Sequence, residues 1–155
     1  ALPQLPKTGR LGAVPSAVYG EPEVASVGMS LTELDRFPET ARHRIVVDHA
    51  GIDRGYTDDI VDGRLVVDVE RFTGPILRAA IVGPGATDLI GMFSLAIDNG
   101  IVLRRVFGTV HPYPSLAEFV RQVSDDFARI TYSGLAGEWL AMARGRLARV
   151  RRRTG

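Results

Sequence analysis

The stretch from Gly63 to Gly100 constrains the fold most. Two runs rich in β-branched residues, Gly63 to Glu70 and Ile76 to Val82, flank Arg71-Phe72-Thr73-Gly74-Pro75, a length suited to a hairpin loop. Ala86 to Asn99 follows at once. There Leu89, Ile90, Phe93, Leu95, Ala96 and Ile97 recur at helical spacing as a broad apolar stripe, and Gly100 supplies a stop. Strands paired through a short loop and followed by a helix with one face to bury predict an α+β domain. Its centre is an antiparallel β-sheet meander flanked by helices.

With 155 residues, the chain has room for one ordinary domain and a single core. Its richest apolar stretch, Ile76 to Ile97, is broken by Arg78, Pro84 and Asp88, short of the roughly 20 uninterrupted residues of a membrane span. No cysteine is present, so the chain has no disulfide, iron-sulfur cluster, thiolate zinc site or redox dithiol of its own. Any redox chemistry must be borrowed. The opening Ala-Leu-Pro-Gln has neither an initiator Met nor the charged-then-apolar order of a signal peptide, and is read as the start of a fragment.

Residues 1–15, with Pro3, Pro6, Gly9, Gly12 and Pro15, read as a linker or the tail of an upstream domain. The compact domain is expected over 16–133. Ala17 to Tyr19 and Val24 to Val27 are short β-prone runs around Gly20-Glu21-Pro22, closed by Gly28. Ser30 followed three residues later by Glu33 is a capping-box signature, and that helix should end by Phe37, ahead of Pro38. His43 to His49 forms a further strand. Leu116, Phe119, Val120, Val123 and Phe127 give one buried face to a helix starting about Ser115. An additional C-terminal helix from about Leu135 to Arg153 would bury Leu140, Ala143, Leu147 and Val150. Residues 134–155 carry six Arg against Glu138, a net +5 against −4 for the rest. Such an arginine face either complements a helix C-terminus or meets an acidic partner.

Few residues offer chemistry. His43 and His49, six apart on a predicted strand, share a face, but no third metal ligand is evident and no metal site is assigned. Asp58, Asp59 and Asp62 lack the spacing of a calcium loop and read as a solvated turn. Val82-Gly83-Pro84-Gly85-Ala86, between a strand and a helix, reads as a tight turn rather than a phosphate loop. There remains Val110-His111-Pro112-Tyr113-Pro114-Ser115-Leu116-Ala117-Glu118, a rigid loop entering a helix. As a site, it is a proton donor held by a carboxylate.

Three ordered blocks now carry a resemblance: VYGEPEVASVGMS at 18–30, GRLVVDVERFTGPILRAAIVGPGATDLIGMFSLAI at 63–97 and VHPYPSLAE at 110–118. Together they resemble the carboxyl-terminal dimerisation domain of the pyridine nucleotide-disulfide oxidoreductases, across roughly residues 14–128. The resemblance implies a homodimer in the cytoplasm whose full-length subunits hold FAD and NAD(P)H in upstream domains, with no cofactor bound by this chain alone. It further implies an active site completed across the dimer. The family's final block usually reads His-Pro-Thr, two residues, then Glu, the His donating a proton and the Glu orienting it. Here Tyr113 occupies the histidine position and Glu118 the glutamate position, while His111 falls two residues earlier. The carbonyl of Tyr113, in a cis bond to Pro114, would approach the partner's flavin.

Tyrosine, with an ordinary pKa near 10, does not replace the imidazolium that pairs with a thiolate near neutrality. Tyrosine at this position is similar to what soluble transhydrogenases and mercuric-reductase-like proteins of the family show, and that resemblance implies a non-disulfide acceptor such as a quinone, a metal ion or another nicotinamide. The competing reading, from a different functional class, is a free-standing homodimeric interaction module that binds an acidic partner through Arg144 to Arg153. No aromatic-basic alternation or groove-reading motif supports nucleic acid as that partner.

Overall fold

The computed structural model describes residues 13–59, 62–106 and 108–151, with side chains in the last helix described as far as Gly134. Ten principal elements follow in order: β1 (Ser16–Val18), β2 (Val24–Gly28), α1 (Leu31–Arg36), β3 (Arg42–Asp48), α2 (Asp53–Thr57), β4 (Arg64–Glu70), β5 (Ile76–Val82), α3 (Ala86–Asp98), α4 (Leu103–Val106) and α5 (Glu118–Arg151). The strands form one antiparallel sheet in the order β1-β2-β5-β4-β3. Thus β3, β4 and β5 make the expected meander, and the β1–β2 hairpin docks on the free edge of β5. A two-stranded hairpin is marginal alone, and this edge gives it a third strand.

Side-chain alternation sets which face is covered. Ala25, Val27, Ile45, Val47, Leu65, Val67, Ala79 and Ile81 point to one face and are buried. The helix α3 covers the β2–β5 half through Leu89, Ile90 and Phe93, and α5 covers the β3 side through Phe119, Val123 and Phe127. Fully burying one such side chain is worth about 1.5–3 kcal/mol, so this two-helix cover carries much of the fold's stability. On the other face Asp68 is only 2% exposed and accepts from Arg42 Nη1 at 3.0 Å and from Arg44 Nε at 2.9 Å. Those bonds help hold β3 and β4 in register.

Local signals place the ends of these elements. The Ser30 hydroxyl accepts from the Glu33 N–H at 3.3 Å, while a Glu33 carboxylate oxygen accepts from the Ser30 N–H at 2.8 Å. The capping box is complete. At the other turn, Glu23 accepts from the Thr87 N–H at 3.0 Å and the Thr87 hydroxyl at 2.7 Å. A carboxylate of this chain therefore already fills the α3 N-terminus behind the Gly83-Pro84-Gly85 turn. The backbone bond to Thr87, followed by its hydroxyl, holds the Glu23 carboxyl below its ordinary range.

Several expectations are corrected. A break between helices starting near 115 and 135 does not occur: α5 runs unbroken from Glu118 to Arg151. A glycine inside a helix costs only about 1 kcal/mol, and no proline interrupts this segment, so Gly134 does not end the helix. The helix begins later than Ser115 because residues 115–117 form a tighter entry turn, with Glu118, Phe119 and Val120 N–H groups bonding three residues back. Ala13, within the segment read as linker, accepts from the Ser94 hydroxyl at 2.7 Å and donates its N–H to Asp98. The face assigned to Leu140, Ala143, Leu147 and Val150 lies outside the described side chains, as does Arg144 to Arg153.

His49 does not continue the strand with His43. The chain turns out of β3 at Asp48, and His49 opens a 3-10 turn over His49–Gly51 with its ring fully buried. The ring meets Phe119 edge-on, centroids 4.3 Å apart, and neither ring nitrogen has a partner in full hydrogen-bond geometry. Among the described residues, no group of three His, Asp or Glu side chains could hold a metal ion. Burial pushes the His49 pKa down, opposed by the backbone at Gly63 and Pro84.

His49 is therefore neutral in the fold, whereas the unfolded chain protonates it near its ordinary pKa of about 6.5. A proton bound more readily by the unfolded state means that stability is full above about pH 6.5 and falls as pH drops below it. His43, lowered by burial and by Arg71, adds in the same direction. The urea midpoint is expected to be lower at pH 5.5 than at pH 7.5 in both the wild type and His43→Asn. A midpoint indifferent to pH across that window would contradict a neutral buried His49.

Candidate functional site

The loop between α4 and α5 projects from the helical layer. Its tip is apolar yet uncovered, with Val110 94% and Tyr113 72% exposed. The Tyr113–Pro114 peptide is cis, as the resemblance implied. The Ser115 hydroxyl donates to the Pro112 carbonyl at 2.6 Å, which closes the loop on itself just before α5.

The Tyr113 hydroxyl donates to Asp53 Oδ2 at 2.6 Å, across 60 residues of sequence. Asp53 opens α2, and the backbone before it is fixed from two sides. Ile52 is 1% exposed in the core, and Gln122 of α5 donates from Nε2 to the Gly51 carbonyl at 2.6 Å. The hydrogen bond to Asp53 and then the charge of Asp53 raise the Tyr113 pKa, with the Glu118 charge acting in the same sense. The phenol stays protonated throughout the neutral range.

Glu118 stands at the start of α5, 6% exposed, and its Oε1 accepts from Arg121 Nη2 at 2.8 Å. Its Oε2 is buried without a partner. Arg121 also donates from Nη1 to Asp125 at 2.7 Å, and the bond to Glu118 is the largest cause of its raised pKa. His111 keeps a buried Nε2 without a partner. Tyr113, Pro114, His111 and Glu118 thus belong to one loop and the helix it enters, but the phenol rests on Asp53 and not on Glu118. No spacing pattern could have revealed Asp53, because the contact joins two distant segments. Asp58, in the acidic turn, accepts from Arg54 at 2.6 Å on the surface.

Residues 14–124 match the profile of the pyridine nucleotide-disulphide oxidoreductase dimerisation domain. The chain belongs to this family. A dihydrolipoyl dehydrogenase of Haloferax volcanii is 38% identical over 117 residues, covering 74% of this chain and 24% of that protein. One of Chlamydia pneumoniae is 35% identical over 115 residues, covering 68% and 23% respectively. Among solved structures, LpdA from Mycobacterium tuberculosis superposes with a TM-score of 0.68 at 26% identity, over 76% of this chain and 25% of that one. The HOCl-induced flavoprotein disulfide reductase RclA of Escherichia coli shares the fold, with a TM-score of 0.66 at 21% identity over 74% of this chain and 26% of that one. The dimerisation domain described here spans about a quarter of the length of the curated relatives it matches.

Proposed function

We propose that this domain belongs to an FAD-dependent NAD(P)H oxidoreductase that works as a homodimer, and that loop 110–118 completes the active site of the partner subunit. The family match supports the dimer and the missing FAD- and NAD(P)-binding domains. FAD, held in those domains, would take hydride from the nicotinamide and pass the electron pair to an acceptor. The loop fits a position beside a flavin: it offers an uncovered apolar and aromatic surface at Val110 and Tyr113, with one oriented hydroxyl.

The observation that carries the choice of acceptor is the Tyr113–Asp53 hydrogen bond. Disulfide reduction calls for a group that exchanges a proton with a thiolate near neutrality. A phenol held protonated by a carboxylate does not do this. With its proton directed at Asp53, the Tyr113 oxygen keeps lone pairs that can accept from the hydroxyl developing on a quinone as that quinone takes up electrons and protons.

Tyr113→Phe in the intact protein removes this contact while keeping the ring. The reoxidation of reduced flavin by a quinone should slow by about tenfold, the equivalent of one good hydrogen bond, while flavin reduction by the nicotinamide is unchanged. Stopped-flow flavin absorbance separates the two half-reactions. Equal loss in both, or loss in neither, contradicts a role at the acceptor.

A further inference from the structure

Asp53 has no counterpart in the loop pattern that led to Tyr113, and it comes from the start of α2, 60 residues earlier in the chain. We propose that Asp53 is the positioning residue for Tyr113, taking over the orienting task that the family pattern assigns to the glutamate at 118. This rests on the reading of Tyr113 as the group that meets the acceptor.

The geometry makes the exchange of partners concrete. Glu118 makes its hydrogen bond to Arg121 and not to the phenol: Arg121, one helical turn along α5, binds its Oε1 at 2.8 Å and is itself anchored by Asp125 at 2.7 Å. The carboxylate within reach of the Tyr113 hydroxyl is Asp53, at 2.6 Å. Without that bond, a side chain 72% exposed on a loop tip would have no described hydrogen-bond partner fixing its hydroxyl. Asp53 is well placed to impose order, since Ile52 is sunk in the core and Gln122 grips the Gly51 carbonyl. The Gln122 bond also ties the Asp53 turn to α5, the helix that the Tyr113 loop enters, so both ends of the pair share one frame. The charges that act on the phenol are Asp53 and Glu118, and Arg121, on α5 with Glu118, feels both carboxylates.

Replacing the tyrosine's hydrogen-bond partner should misplace its oxygen without removing it, and misplacement of a reacting group by about 1 Å can cost up to roughly 100-fold. In the full-length protein, Asp53→Ala is expected to slow quinone-dependent flavin reoxidation by about tenfold, a value within that range. Flavin reduction should be unaffected. Asp53→Asn keeps a carbonyl acceptor in place and should restore most of the rate. A merely structural role would not produce this rescue. In parallel, the titration midpoint of the Tyr113 phenol, followed by NMR of ring-labelled tyrosine, should fall in both variants, because each removes the negative charge that favours the protonated phenol.

A midpoint unmoved in both variants overturns the pairing. A lowered midpoint with wild-type reoxidation in Asp53→Ala, where Tyr113→Phe is slow, overturns the positioning role while leaving Tyr113 at the acceptor. Wild-type reoxidation in Tyr113→Phe removes the parent reading, and the positioning role with it. If Asp53→Ala does not fold, Asp53→Asn alone still decides: an unmoved midpoint contradicts the proposal, and a lowered midpoint with near-normal reoxidation supports it.

Discussion

Phe119→Ala should destabilise the domain by about 3–5 kcal/mol, the usual cost of deleting a buried aromatic ring. Phe119 has no exposed surface and sits in the first turn of α5, where it packs edge-on against His49 and joins the core under the sheet. Its removal leaves a void between two rigid elements. The strands β3 and β4 are locked by their ladder, and α5 is held at its start by the 115–120 entry turn, so neither can collapse into the gap. A loss of this size is a large part of the roughly 5–15 kcal/mol available to a domain, and corresponds to a fall in Tm of about 10 °C. The same substitution loosens the turn that carries Glu118 and Arg121. Leu95→Ala, on the exposed side of α3, should stay within about 0.5 kcal/mol in the same urea series. A Phe119→Ala cost below about 1 kcal/mol would contradict the packing described.

Gly63→Ala is the second large effect, and it has two causes: a φ of +150°, which L side chains rarely adopt, and close approach to His49, the part that a double-mutant cycle isolates. A Cβ at Gly63 would lie 1.9 Å from His49 Nδ1 and 2.6 Å from its Cε1. The ring has little room to adjust, because Gly83 lies against the same Nδ1–Cε1 edge, where a Cβ would meet Cε1 at 2.8 Å, and Phe119 packs edge-on against the ring. The Gly63 carbonyl meanwhile accepts the His49 N–H at 2.9 Å, which ties the two backbones together. Overpacking of this kind typically costs about 1–3 kcal/mol and sometimes more, and the upper end is expected here. A double-mutant cycle identifies the mechanism. In a His49→Ala background the new methyl group has space, so the two substitutions should fail to add by about 1–3 kcal/mol. Additive effects in urea unfolding would mean that the His49 ring is not what Gly63 accommodates.

These two sites also show which parts of the molecule are legible in a sequence. The strands at 64–70 and 76–82, the Ser30–Glu33 box and α3 are written in local periodicity and punctuation, and they lie where those signals put them. His49 is different. Its pattern position assigns it to the strand of His43, but its burial comes from Gly63, Gly83 and Phe119, none of them near it in sequence. Glycines at 55, 63 and 83 are the residual signal that something approaches closely there. The continuity of α5 was hidden by Gly134, which weakens a helix without ending it. The loop of Tyr113 was legible as a proton donor beside a carboxylate and its role through resemblance, whereas Asp53 was not legible at all, since only tertiary packing brings it to the Tyr113 hydroxyl.

The central claim, that this domain supplies Tyr113 to the flavin of the other subunit, is tested most directly by mixed dimers of the intact protein. One subunit carries Tyr113→Phe and binds FAD, and the other keeps Tyr113 but is disabled for FAD binding in its upstream domain. The single flavin then faces a native Tyr113 only if the loop crosses the dimer. Quinone-dependent reoxidation of that flavin is predicted at the wild-type rate. A rate equal to that of the Tyr113→Phe homodimer would mean that each flavin is served by its own subunit's loop, and would contradict the account.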